Sequence, residues 1–177
     1  MTGTIDWKGL SLGVIAMTVV VVASNILVQH PINDWLTWGA FTYPIAFLVT
    51  DLTNRTLGPD RARYVVYAGF AVGVALSLVF ADVRIAIASG TAFLTAQLLD
   101  VTVFNRLRNQ TWWMAPLVSS TLGSILDTVL FFSLAFAGTG LPWITWAAGD
   151  FGAKMTMALL LLLPFKGLSG FLKAKPV

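Results

Sequence analysis

The sequence predicts an all-α integral membrane protein, a single bundle of six transmembrane helices with both termini in the cytoplasm. Apolar residues make up 57% of the 177-residue chain, charged residues only 11%, and the mean hydropathy is +0.81. A helix needs about 20 apolar residues to cross a hydrocarbon core of roughly 30 Å. Six segments meet that length, at 10–29, 35–54, 62–81, 84–104, 113–137 and 142–164. A soluble chain of buried helices would require a charged outer layer that this composition does not supply.

The first segment follows Lys8 and contains the small-residue stretch Val22-Ala23-Ser24. Its apolar run exceeds the roughly 7–15 residues of a signal-peptide core, so it is expected to be a retained span. Pro44 lies inside the second segment, where a ring without an N–H should kink the helix and free a carbonyl. Gly58-Pro59-Asp60 marks a turn after it. In the third, Gly69 and Gly73 form a GxxxG spacing that lets helix backbones approach closely. Packing within the chain is the preferred use, with a homodimer face left open. In the fourth, Phe93, Gln97, Asp100 and Phe104 share one helical face; in the fifth, Ser120, Ser124, Asp127 and Phe131 do the same. In the sixth, Asp150 and Lys154 stand one turn apart.

Orientation follows from the bases. Arg55, Arg61 and Arg63 fall between the second and third segments, and Arg106 and Arg108 between the fourth and fifth. Lys166, Lys173 and Lys175 follow the sixth. The opposite connections carry His30, Asp34 and Arg84. Cytoplasmic loops are enriched in Lys and Arg, which places both ends of the chain inside. The net charge of +3 reflects these loops and gives no sign of nucleic-acid binding.

All eight acidic residues are Asp, and several interrupt apolar runs. A charge at bilayer depth is costly unless it is paired or lines a wet cavity, so such residues mark candidate sites. At 1.5 Å per residue two layers emerge. Asn25, Asp127, Asp150 and Lys154 fall roughly 17–23 Å from the cytoplasmic ends, with Gln97 slightly below. Asp51, Asn54, Asp100, Asn105 and Arg106 form an inner layer, in which the carboxylates are expected to pair with the nearby arginines. The outer layer is the candidate site, because a silent buried ion pair is often replaceable by apolar residues without loss of stability.

Its chemistry narrows the ligand. Two carboxylates, amides, one ammonium and nearby rings suit a small polar, planar organic solute. A carboxylate can accept two parallel N–H bonds from a guanine-type edge, and an amide can pair with a carbonyl. An inorganic cation would want more oxygen ligands and no lysine. Zero cysteines and a single His argue against a metal centre or His-based catalysis, and no cofactor is expected. An intramembrane enzyme finds no nucleophile–base motif here.

The strings TWGAFTYPIAFLVTDLTNRTLG, FLTAQLLDVTVFNRLR, WWMAPLVSSTLGSILDTVLFFSLAF and DFGAKMTMALLLLLP resemble the queuosine-precursor transporters of the vitamin uptake transporter group. The similarity runs from Ser24-Asn25 to Pro164. It implies a multi-pass protein of the bacterial inner membrane that imports 7-cyano-7-deazaguanine and 7-aminomethyl-7-deazaguanine. The family positions carried over are Asn25, Trp38, Asp51, Asn54, Arg84, Gln97, Asp100, Asp127, Asp150 and Lys154. On that basis Asp127 or Asp150 would bind the guanidine-like edge, Gln97 or Asn25 the carbonyl, and Phe131 or Trp38 would stack on the ring. Lys154 would hold the second carboxylate ionised or meet the nitrile. A substrate-capture subunit of an energy-coupling vitamin transporter is the alternative with the same helix count and a similar pocket.

Overall fold

The computed structural model describes residues 6–27, 30–33, 35–80 and 82–172. Residues 28–29 and 81, which close two of the expected spans, lie outside the described residues, as do Asp34, Lys173 and Lys175.

The chain is a multi-pass helical bundle. In order it forms α1 (Trp7–Leu27), a small hairpin of β1 (Pro31–Asn33) and β2 (Leu36–Thr37), α2 (Gly39–Thr42), α3 (Ile45–Leu57), α4 (Pro59–Phe80), α5 (Val83–Leu107), α6 (Met114–Phe136), α7 (Trp143–Leu160) and α8 (Leu162–Phe171). Among the described residues four stretches are long and apolar enough to cross a membrane: α1, α5, α6 and the joined α7–α8. Helix α4, with 22 residues, rises about 33 Å and also has spanning length.

The second and sixth segments depart from the sequence expectation. Residues 35–54 are not one helix. They begin in the antiparallel hairpin, where Asn33 Oδ1 accepts from Trp35 N at 2.8 Å and Leu36 N at 2.9 Å. The helix then starts at Gly39, breaks at Tyr43-Pro44 and resumes as α3. Pro44 cannot donate to the carbonyl of Ala40 and its ring crowds that carbonyl, so the break falls where the kink was expected. Helix α3 alone has 13 residues and rises about 20 Å, too little to cross a bilayer by itself. The last segment does not stop at Pro164. Pro164 sits in the first turn of α8, where its missing N–H is tolerated, and the helix breaks just before it at Leu161.

Side chains are distributed inside-out relative to a water-soluble protein. Ile15, Val19, Val129, Ile144 and Leu163 each expose more than half of their surface. Thr50, Asp51, Asn54, Gln97, Asp100, Ser119, Asp127 and Lys154 are buried. A lipid solvent accounts for both, since it accepts aliphatic groups and excludes polar ones.

Lipid offers no hydrophobic drive to pair helices, so close packing and interhelical hydrogen bonds must hold the bundle. Gly69 is where α4 meets α1: a Cβ there would stand 2.5 Å from Met17 Cγ, while Gly73 faces Val21 at 3.7 Å. The GxxxG face is thus consumed inside the chain. Gly123 of α6 plays the same part against Phe47 of α3, with a contact of 2.7 Å for any added Cβ. Between α3 and α5, Thr50 Oγ1 donates to Gln97 Oε1 at 2.7 Å and Asn54 Nδ2 to the Val101 carbonyl at 3.0 Å. Such bonds contribute about 0.6 kcal/mol each in membrane proteins.

Arg55, Arg108 and Lys166 gather at one end of the bundle. Arg55, closing α3, donates to the Arg108 carbonyl, and Arg108 returns a bond to the Arg55 carbonyl at 3.3 Å. Lys166 of α8 lies over the Trp112 ring at 4.7 Å. This bond exchange also overturns one expectation for the inner layer. Among the described residues, Asp51 and Asp100 have no arginine partner, because the guanidiniums reach backbone carbonyls at the helix ends instead.

Candidate functional site

At the opposite end of the bundle α1, the hairpin, α2, α5, α6 and α7 enclose a cavity of ≈ 970 Å³. Its charged floor is built by α6 and α7. Asp127 and Thr128 are neighbours on α6; Asp150 and Lys154 are one turn apart on α7. Lys154 Nζ donates to Asp127 Oδ2 at 2.7 Å, to Thr128 Oγ1 at 3.2 Å and to Asp150 Oδ2. Thr128 Oγ1 donates to Asp150 Oδ2 at 2.9 Å, and Tyr43 donates to Asp127 Oδ1 at 3.3 Å. One ammonium and two carboxylates leave the cluster with a formal charge of −1.

The two carboxylates are not equivalent. Asp127 has both oxygens occupied and is 4% exposed. Asp150 is half-buried at the cavity wall, and among the described residues no donor reaches its Oδ1. Asp150 therefore retains acceptor capacity toward the cavity, while Asp127 is committed to holding Lys154 and Tyr43.

The upper walls are aromatic. Phe131, Phe132 and Phe136 of α6 and Trp146 of α7 line the space, with Phe136 and Trp146 edge-to-face at 5.5 Å between centroids. The hairpin closes the side: Gly149 of α7 lies so near it that a Cβ would stand 3.3 Å from the Trp35 carbonyl. Asn25 of α1 also lines the cavity, and its Nδ2 donates to the Val21 carbonyl at 2.8 Å.

The structure thus brings together Asn25 of α1, Asp127 and Phe131 of α6, and Asp150 and Lys154 of α7. Three other expected residues stand elsewhere. Gln97 is fully buried between α3 and α5, turned to Thr50. Trp38 precedes α2, is 54% exposed and does not line the cavity. Arg84 begins α5 and ties it to the end of α6, donating to the Leu134 carbonyl at 2.9 Å and the Ala137 carbonyl at 2.6 Å. Tyr43 and Thr128 were missed. Tyr43 directly precedes Pro44, and a hydroxyl at a proline break was the available signal. Thr128 follows Asp127, so the heptad-like stripe through Asp127 placed it off the face. No group of three or more His, Cys, Asp or Glu able to hold a metal occurs among the described residues.

An apolar multi-pass bundle around a charged, aromatic-walled cavity has the form of a membrane transport protein. The family profile described as "Putative vitamin uptake transporter" matches residues 37–83 and 79–168, and the chain belongs to that family. Among similar proteins, the probable queuosine precursor transporter of Haemophilus influenzae is 36% identical over 84% of this chain and 80% of its own length. The queuosine precursor transporter of Escherichia coli is 35% identical over the same shares. The probable queuosine precursor transporter of Bacillus subtilis is 28% identical over 58% of this chain and 57% of its own. No solved structure matches the chain.

Proposed function

We propose that this chain imports queuosine precursors, 7-cyano-7-deazaguanine and 7-aminomethyl-7-deazaguanine, across the bacterial inner membrane. In this reading it acts as a transporter and not an enzyme, crosses the membrane six times and keeps the Arg55–Arg108 end in the cytoplasm. The second crossing is then the composite of hairpin, α2 and α3, an irregular segment of the kind tolerated only where it lines a cavity.

One observation carries the assignment: a carboxylate oxygen left without a donor, beside a lysine, in an aromatic-walled cavity. Asp150 is assigned to the guanidine-like edge, where N–H donors of the heterocycle would complete its coordination. Asp127 keeps Lys154 in place and does not touch the ring. Phe131 or Trp146 covers the ring face. Asn25, which lines the cavity, is assigned to the carbonyl, and Gln97 and Trp38 are released from the direct roles the resemblance implied.

The test is uptake of radiolabelled 7-cyano-7-deazaguanine into proteoliposomes containing the purified protein. Saturable uptake, competed by the aminomethyl compound and absent from protein-free vesicles, is the expected result. Protein that is folded and inserted but moves neither compound would remove the assignment.

A further inference from the structure

The buried polar layer nearer the arginine end has no part in the cavity chemistry, and its geometry is unusual. Asp51 of α3 and Asp100 of α5 face one another with their carboxyls within hydrogen-bonding reach. Asp51 is 2% exposed and Asp100 0%. The donors offered to Asp51 are two distant hydroxyls of α6, Ser119 at 3.3 Å and Ser120 at 3.5 Å. Ser119 is also within 3.4 Å of the Pro116 carbonyl. Among the described residues neither oxygen of Asp100 has a donor in regular hydrogen-bond geometry, although the Ser119 hydroxyl also acts on its carboxyl. One turn further along α3, Asn54 Oδ1 is buried without a donor as well.

Among the described residues no cation pairs with either acid. On α3 and α5 the guanidiniums of Arg55 and Arg108 are spent on each other's backbone carbonyls. Arg63 of α4 pairs with Asp60, Lys166 of α8 lies over Trp112, and α6 presents hydroxyls only. Lys154 of α7 is held by Asp127 and Asp150. Two carboxylates in contact in a dry interior cannot both keep their charge, and the missing donor between them is one proton.

A second feature joins this pair to the site above. A small cavity of ≈ 20 Å³ counts Asp51, Ser120, Ser124 and Lys154 among its otherwise apolar lining from α3, α6, α7 and α8. A space of about 10–15 Å³ suffices for one water. Ser120 and Ser124 stand one turn apart on α6, and Asp127 lies three residues beyond.

We propose that the Asp51–Asp100 pair is a proton-binding site, separate from the solute cavity and connected to it through the Ser120–Ser124 passage. The proton sits between the two carboxyl oxygens and leaves toward the arginine end, so that solute entry is driven by protons. The proton site stands without the transport assignment; its coupling to uptake rests on that assignment.

Infrared difference spectroscopy of the whole protein in lipid, titrated through neutral pH, reads the site without any solute. The wild type is expected to show a protonated-carboxyl C=O band, shifted by deuteration, that disappears in both Asp51→Asn and Asp100→Asn and persists in Asp127→Asn. Should the Asn variants fail to fold, Ser119→Ala must move the midpoint at which the band titrates. Absence of the band near neutrality, or its survival in both variants, overturns the proposal. In proteoliposomes with the membrane potential clamped at zero, a gradient one pH unit more acid outside supports at most about tenfold accumulation of a neutral solute for one proton. Accumulation that ignores the pH gradient, or follows sodium instead, overturns the coupling. Failure to bind any deazapurine would remove the cargo assignment and leave the infrared result standing.

Discussion

Replacing Asp150 by Asn separates the two carboxylates of the cavity floor by role. Asp150 shares Lys154 with Asp127, so the variant leaves the ammonium with a counter-ion at 2.7 Å and takes the formal charge of the cluster from −1 up to 0. Folding should change little, because the position is half-buried at the wall and the Asn carbonyl can still accept from Thr128. Binding should change a great deal. A hydrogen bond to a charged group is worth about 1.5–3 kcal/mol, and each 1.4 kcal/mol is tenfold in Kd. One lost charge-assisted bond therefore weakens deazapurine binding about 10- to 150-fold. Titration calorimetry on the detergent-purified protein measures this directly, with tryptophan fluorescence following thermal unfolding. Asp127→Asn should show the reverse balance, a larger loss of thermal stability and a smaller loss of affinity. An Asp150→Asn protein that binds as tightly as wild type would refute the division of labour between the two residues.

Lys154→Met leaves the buried Asp127 carboxylate without its cation beside the half-buried Asp150 and should cost about 3–5 kcal/mol of stability, read as a fall in unfolding temperature. Combining it with Asp127→Leu should restore much of that stability but not solute binding, whereas a purely structural ion pair would allow both to return. Tyr43→Phe removes the 3.3 Å bond to Asp127 and should destabilise by about 1 kcal/mol, with affinity reduced only a few-fold. Gly69→Leu must push α4 off Met17 and should cost about 1–3 kcal/mol, partly relieved by Met17→Ala in the same chain.

The helical segments were legible because apolar length is a property of local sequence, and α5 and α6 lie within a few residues of their expected limits. Composition could not reveal the hairpin before α2. Trp35, Leu36 and Trp38 are as apolar as a helix requires, and what bends the chain there is the Asn33 side chain bonding two backbone N–H groups. Helical periodicity put Asp127, Asp150 and Lys154 at one level, since i+4 spacing and rise per residue are fixed by backbone geometry. Periodicity gives a face and a depth but no partner, which is why Gln97 was assigned to the solute when its neighbour is Thr50. The same limit misjudged Asp51 and Asp100. Sequence proximity suggested arginines, whereas the helix ends let those side chains turn to carbonyls and left the acids to each other.

The absence of cysteine makes the cavity itself open to a direct measurement. Ser89 of α5 lines it, so a Ser89→Cys chain carries one thiol inside the proposed solute space. Thr139→Cys places a control thiol in the exposed turn after α6. If a deazapurine occupies this cavity, 7-cyano-7-deazaguanine slows maleimide labelling at Cys-substituted position 89, in a saturable way that adenine does not reproduce, and leaves the control rate unchanged. Equal labelling rates with and without saturating 7-cyano-7-deazaguanine, in protein that remains folded, would contradict the placement of the solute in this cavity.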